Sequence, residues 1–455
     1  MCARTSNKTT IKPSHNMKST ASTSLEKRFE KIPTTIYEDS KDGSHSIAHA
    51  VADLIRAKQT KGEMAVLGLA TGSSPIRVYD ELVRLHQEEG LSFHNVITFN
   101  LDEYYPIEPN SLQSYVRFMN EHLFDHIDIK PENINIPDGT LAENDIDAFC
   151  QAYEDKIRKV GGIDIQILGI GRTGHIGFNE PGSTRNSPTR LITLDMITRL
   201  DAASDFFGEE HVPMRAITMG VGTIFLARKV YLMAWGEGKS HILRATIEGA
   251  ITDKVPASFL QEHPNVEFII DTAAGGELTR IKTPWLVRTV KWDQKMIRKA
   301  IVWLCKKEKK PILKLTKEDY NENGMSSLLI HHGSAYDLNI QIFNELQHTI
   351  TGWPGGKPNA DDSQRPERAN PYPKRVVIFS PHPDDDVISM GGTLLRLVEQ
   401  GHEVHVAYQT SGNIAVFDDE ALRFVDFARD LNEIFGWEGD RSKQLYDDTT
   451  HFLSN

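Results

Sequence analysis

From about residue 31 to 276, short β-rich apolar runs alternate with longer amphipathic segments, and that pattern leaves few folds open. Met64–Ala70, Val96–Leu101, Ile163–Gly169, Ala216–Met219, Val230–Ala234 and Val266–Ile270 read as strands, with helical patterns at 75–89, 143–159 and 239–249. This order predicts an α/β fold, a doubly wound and mostly parallel Rossmann-like sheet. In such sheets ligands bind beyond the carboxyl ends of the strands. The residues that follow each strand are therefore the first candidates for function.

Three such segments carry chemistry. After Ile163–Gly169 comes a turn with further glycines at 171, 174 and 177, where the backbone can bend sharply and approach a ligand. It presents His175 and, five residues on, Glu180, a base and a carboxylate able to set its orientation and tautomer. After Met64–Ala70, the segment Thr71-Gly72-Ser73-Ser74-Pro75 supports two readings. One is a phosphate cradle of amides, hydroxyls and a helix N-terminus; the other is a capped strand–helix turn. After Val96–Leu101 stand Asp102 and Glu103, either a proton-transferring base or surface and capping groups. Lys239, after the strand at 230–234, is a candidate phosphate ligand or a solvated lysine.

Bulk properties exclude several classes. The 455-residue chain has a formal net charge of −12, which argues against nonspecific nucleic-acid binding. An anionic ligand would need a local basic pocket. No apolar run approaches a membrane span, and Cys2, Cys150 and Cys305 have no metal-type spacing. A cytoplasmic protein with free thiols is expected.

Residues 1–30 are Ser/Thr/Lys-rich and read as a disordered tail before a domain at 31–283. An extension at 284–350, with a helix around 296–306, leads to a Pro/Gly-rich linker at 351–373. A second, incomplete α/β unit is expected at 374–455, opening with a strand at 375–379, a helix near 387–400 and a strand at 402–408.

Five motifs occur in order: Thr71-Gly-Ser-Ser-Pro75, Thr98-Phe-Asn-Leu-Asp-Glu-Tyr104, Gly174-His-Ile-Gly-Phe-Asn-Glu-Pro181, Thr218-Met-Gly-Val-Gly-Thr223 and Gly238-Lys239. Over about 35–275 the chain resembles the isomerising glucosamine-6-phosphate deaminase family. The resemblance implies conversion of an amino-sugar phosphate to fructose 6-phosphate and ammonia without a cofactor. It makes Asp102 the base at C2, His175 the ring-opening group, Glu180 its holder, and Thr71–Ser74 with Lys239 the phosphate site. It also implies a homo-oligomer. Thr173 stands where the family carries Asp or Asn, and Asp205 where it carries a phosphate-binding arginine, with Arg199 nearby. Arg190 matches a basic position of the family's allosteric site, whereas Ile192 replaces a lysine there. A sugar-phosphate lactonase or isomerase of related fold, or an impaired sugar-phosphate sensor, are the alternatives.

Ser380-Pro-His-Pro-Asp-Asp-Asp-Val387 resembles the opening motif of PIG-L-type zinc deacetylases. The resemblance implies zinc on His382 and Asp385, with Asp384 as base. A third ligand is missing, since only His402, His405 and His451 follow. The expectation is a module without tight zinc or deacetylase activity.

Overall fold

The computed structural model describes residues 25–349, 374–399, 401–411, 418–436 and 441–453. Most of the expected tail (1–24) and the expected linker (351–373) lie outside the described residues. The chain divides into two compact units, Met1–Lys291 and Trp292–Asn455.

The first unit is built on seven strands: β1 (Thr34–Tyr37), β2 (Ala65–Leu69), β3 (Val96–Asn100), β5 (Ile134–Asn135), β6 (Ile165–Leu168), β9 (Lys229–Ala234) and β10 (Val266–Asp271). They pair in parallel in the order β1-β10-β9-β6-β2-β3-β5. Three further strands, β4 (Asp102–Tyr105), β7 (Arg190–Thr193) and β8 (Arg215–Thr218), form a separate antiparallel sheet in the order β4-β8-β7. The run at 216–219 thus belongs to this small sheet and not to the parallel one.

Every residue of β2 is buried, as a central parallel strand requires. Its alternate side chains enter two cores. Leu67 and Leu69 meet Ile165 and Ile167, Ile47, Val51 and Ile55 of helix Ser40–Thr60, and Val78, Leu82 and Leu85 of helix Ile76–Glu89. Val66 packs on the other face with Phe99, Leu168, Leu232 and Phe268, beneath Tyr153 and Ile157 of helix Ile146–Lys159. The spacing of Ile47, Val51 and Ile55 gives the first helix one apolar stripe, and Asp39 caps it by accepting from the Lys41 and Asp42 amides. Gly90 ends the second helix at φ 69°, donating its N–H to Leu85 O.

From β2 the chain runs outward to β3 and β5, then returns to place β6 on the other side of β2. The crevice at this reversal is where doubly wound sheets bind ligands. The loops after β2 and β6 flank it.

A buried carboxylate ties the small sheet to the large one. Glu154 accepts from Thr189 N (2.9 Å) and Thr189 Oγ1 (2.6 Å), and also from Thr223 Oγ1. That holds the 183–190 loop against Gly220, where a Cβ would stand 2.0 Å from Ser187 O and 2.3 Å from Pro188 O.

In the second unit, helix Gln294–Glu308 buries Ile297, Ile301 and Leu304. Thr316 and Asp319 form a reciprocal capping box on helix Lys317–Glu322. Strands β11 (Arg375–Ser380) and β12 (Glu403–Tyr408) pair in parallel, with helix Asp385–Glu399 between them in sequence. Among the described residues no helix is long and apolar enough to cross a membrane.

Because the neighbours of Gly220 are backbone carbonyls, Gly220→Ala cannot be relieved by a rotamer change. It is expected to lower stability by about 2–3 kcal/mol, read from urea unfolding. An unchanged midpoint would show that the 183–190 loop can move away freely.

Candidate active site

Asp102 opens β4, facing Thr218 of β8 in register, and is 5% exposed. Gly177 lies against both side chains, at φ 54°. A Cβ there would be 2.9 Å from Thr218 Oγ1 and 3.2 Å from Asp102 Oδ2. Thr218 Oγ1 also accepts the Phe178 amide at 3.0 Å. The loop after β6 is therefore seated directly on the Asp102 carboxyl group. Three buried tyrosines, Tyr79, Tyr104 and Tyr153, and the half-buried Tyr115 lie close enough to feel its charge. Their hydroxyls are engaged elsewhere. Tyr79 donates to Ala70 O and Tyr153 to Asn100 O at 2.8 Å. Tyr104 and Tyr115 bond to each other, and Tyr115 also to Thr71. Burial, with a smaller push from the Glu103 charge, raises the Asp102 pKa from 3.8 to about 8.

Glu103 differs sharply from its neighbour. Its carboxylate accepts from the amides of Tyr104 (2.9 Å), Tyr115 (3.0 Å) and Val116 (3.1 Å) and from Ser114 Oγ (2.8 Å). Glu103 thus fixes the start of helix Tyr115–His122, and with it the position of Tyr115. Of the two adjacent acids, one is capping structure, and among the described residues no donor reaches the other.

His175 lies over Gly171, where a Cβ would come within 2.0 Å of Nε2. Its other nitrogen, Nδ1, is 2.9 Å from Thr173 Oγ1, 3.2 Å from Glu180 Oε2 and 3.4 Å from Thr198 Oγ1. Glu180 also accepts from Thr198 Oγ1 at 2.6 Å and the Asp195 amide at 3.4 Å. Burial acts to raise the Glu180 pKa, but His175 and these donors outweigh it and leave it lowered. Glu180 is thus the anion of the pair, and Thr173 joins as a neutral hydroxyl. The negative charge that a carboxylate at position 173 would bring is supplied from position 180. Sequence reading gave no sign of Thr198, which reaches the pair from helix Met196–Ala202 across 18 residues.

The loop at 71–74 is held from two sides. Tyr115 bonds Thr71, and Trp235, following β9, donates Nε1 to Ser74 O at 3.1 Å. Gly72 is at φ 98°. Helix Ile76–Glu89 starts from Pro75 with no side-chain cap, so Ser74 does not cap it. Lys239 is half-buried at the start of helix Ser240–Glu248; burial lowers its pKa, Asp201 opposes that and Arg172 adds to it. Asp205 is exposed, and its charge acts on Tyr104. Arg199 turns its Nη groups to Glu209: Nη2 donates to Glu209 O at 2.8 Å, and Nη1 lies 3.6 Å from Glu209 Oε1, while its buried Nε has no partner among the described residues. Arg190 is taken up by Asn179 Oδ1 (3.0 Å) and Ser183 Oγ (2.9 Å).

In the second unit His382 Nδ1 is 2.9 Å from Asp385 Oδ2, Asp384 is exposed, and Asp386 is buried against Ser380 Oγ. Among the described residues no group of three His, Cys, Asp or Glu side chains converges as a metal site. His402 is buried with Nδ1 accepting the Lys374 amide at 3.1 Å, and His405 pairs with Glu403 at 2.9 Å. Two donors do not make a closed zinc site.

The fold and crevice define a doubly wound α/β protein with a buried acid, an imidazole–carboxylate pair and a cationic corner on the loops at the switch point. Residues 38–268 match the family of glucosamine-6-phosphate isomerases and 6-phosphogluconolactonases, and 377–433 match the GlcNAc-PI de-N-acetylase family. The chain belongs to the glucosamine-6-phosphate isomerase/6-phosphogluconolactonase family. It is 59% identical over 408 residues to a Bacteroides thetaiotaomicron protein named as glucosamine-6-phosphate deaminase-like, covering 90% of this chain and 62% of that protein. The glucosamine-6-phosphate deaminase of Shewanella halifaxensis is 50% identical over 236 residues, 52% of this chain and 89% of its own. A solved monomeric glucosamine-6-phosphate deaminase superposes with a TM-score of 0.52 at 40% identity, over 54% of this chain and 100% of its own.

The raised Asp102 pKa has a consequence for stability. The group is protonated more tightly folded than unfolded, so ionising it as pH rises from about 4 to about 8 favours unfolding. Asp102→Asn removes this penalty. It is expected to match the wild type near pH 4 and exceed it by about 2–5 kcal/mol at pH 8, with the difference level above that. Denaturant unfolding across this range checks it, and a constant difference would refute the raised pKa.

Proposed function

We propose that the chain is an isomerising deaminase of glucosamine 6-phosphate or a close amino-sugar phosphate, yielding fructose 6-phosphate and ammonia. The observation that carries this reading is the seating of the Gly177 turn on Asp102, which sets a donor-free acid beside the loop that carries His175.

The order of events follows from the groups. The hydrogen on C2 becomes acidic only when C1 is a free carbonyl, so ring opening comes first. With Glu180 accepting from Nδ1–H, the neutral imidazole keeps a lone pair on Nε2. Nε2 takes the proton of the C1 hydroxyl and delivers it to the ring oxygen, and the C1–O5 bond breaks. Asp102 then removes the C2 proton while a proton of the C2 ammonium passes to the C1 oxygen, and returning the first proton from Asp102 to C1 leaves an iminium at C2. Water adds there, the C–N bond breaks, and ammonia leaves with the ketose. One water is consumed, which makes the net reaction a hydrolytic deamination.

Asp102 also favours a free amine. In the empty site burial keeps its acid protonated over much of the range below about 8. A substrate ammonium at C2 would bring the positive charge that ionises it. An N-acetylated sugar brings none. The reading needs no cofactor, and the C-terminal unit is assigned no deacetylase activity. The solved relative is monomeric, so the expected homo-oligomer is not part of this proposal.

Incubation of the purified chain with glucosamine 6-phosphate should release ammonia and fructose 6-phosphate in equal amounts, with Asp102→Asn lowering the rate by at least about 100-fold. Hydrolysis of 6-phosphogluconolactone without ammonia release from the amino sugar would replace this reading with the lactonase one.

A further inference from the structure

A surplus of positive charge is built into one corner of the crevice. Arg172 follows β6, and Lys239 follows β9, the neighbouring strand of the sheet. Asp201, near the end of helix Met196–Ala202, holds Arg172: Nε donates to Oδ2 at 2.8 Å, and Nη2 pairs with Oδ1. This two-point grip orients the guanidinium as a fork. Lys239 feels both Arg172 and Asp201, yet among the described residues no carboxylate lies within ion-pair distance of it. Two cations share one anion there, which leaves a net charge of about +1. Helix Ser240–Glu248 begins directly after Lys239 without a side-chain cap, so the positive end of its dipole lies at the same place. Arg190 is held by Asn179 and Ser183 and the Nη groups of Arg199 face Glu209, whereas Arg172 is the arginine whose charge acts on Lys239.

We infer that Arg172, oriented by Asp201, is a second phosphate ligand beside Lys239 and sets the preference for a 6-phosphorylated sugar. This rests on the deaminase reading for the reaction, although the phosphate site itself can be tested without turnover. The substrate's phosphate would complete the charge balance that Asp201 only half supplies. The fork has N–H groups beyond the two facing Asp201, so Arg172 can reach phosphate without leaving its holder. Asp201 is a positioning residue in this arrangement. A lysine at 172 would keep the charge but not the fork.

The test is Arg172→Gln in the full chain, compared with Arg172→Lys. Arg172 is half exposed, so neither change disturbs the core. For glucosamine 6-phosphate we expect Arg172→Gln to raise KM by about 10- to 100-fold with kcat within about threefold, the loss of one charge-assisted contact. Arg172→Lys should fall between. With unphosphorylated glucosamine, kcat/KM should be the same in wild type and variant. Equal losses with both sugars, or an unchanged KM, would overturn the inference.

Calorimetry with glucitol 6-phosphate, which has no carbonyl and cannot react, separates the two readings. If the wild type releases no ammonia but binds glucitol 6-phosphate, and Arg172→Gln weakens that binding about tenfold or more, the phosphate assignment stands while the deaminase reading falls. Equal binding by both proteins, or none by either, overturns it.

Discussion

The site depends on a carboxyl group pressed against a residue with no side chain. Asp102 can be buried at the head of β4 because Gly177 adopts φ 54° and leaves room for its oxygen. Thr218 makes that juxtaposition durable. It pairs with Asp102 across the antiparallel register and accepts the Phe178 amide, so one residue fixes both the base and the loop facing it. The small sheet β4-β8-β7 carries this arrangement, with Asp102 on β4 and Thr218 on β8. Glu103 then anchors helix Tyr115–His122, whose first residue stacks its ring against Phe178.

Two acids with opposite behaviour result from these surroundings. Asp102 has lost water and gained no donors, so its proton is held. Glu180 is largely buried, yet Thr198, Thr173, the Asp195 amide and the imidazole Nδ1 all donate to it, and it stays ionised. A protonated acid on β4 and an ionised one on the loop after β6, with an imidazole bound to the second, are a division of labour set by hydrogen bonding and not by residue type. It also explains how Thr173 is tolerated. A hydroxyl 2.9 Å from Nδ1 keeps the ring oriented while Glu180 alone carries the charge.

Much of this frame was legible in the sequence because central parallel strands are apolar on both faces. β2, β3, β6, β9 and β10 all announce themselves in that way. β4 does not: Asp102-Glu-Tyr-Tyr105 is polar at its start and reads as a loop after a strand. Its pairing with β8 is more than 100 residues away and leaves no local mark. The same holds for Arg215–Thr218, which has strand composition but enters the other sheet. Helix Ser40–Thr60 was not read from the sequence: Ile47, Val51 and Ile55 form its apolar stripe, but Gly43 and several polar residues blur its start. The glycine turn pointed to His175 and Glu180. Thr198, Tyr115 and Trp235 could not be found that way, because each reaches the site through a tertiary contact. Asp205 is the opposite case. Its sequence position suggested repulsion of a phosphate, whereas the charges acting on Lys239 are those of Asp201 and Arg172.

The electrostatics of the whole chain bear on how such a site must work. With a formal net charge of −12, the protein repels a phosphate dianion at long range. Screening at physiological salt limits that repulsion to about 8 Å, so the decisive attraction has to be local and partly desolvated. Lys239 meets that requirement by being half-buried, since burial that weakens its hold on a proton also strengthens its pull on an anion. An exposed lysine would be screened as strongly as the surface acids. The shared carboxylate of Asp201 then has a clear physical role. It keeps two cations close together in the absence of ligand without neutralising both, so the corner remains both stable and receptive to an anion.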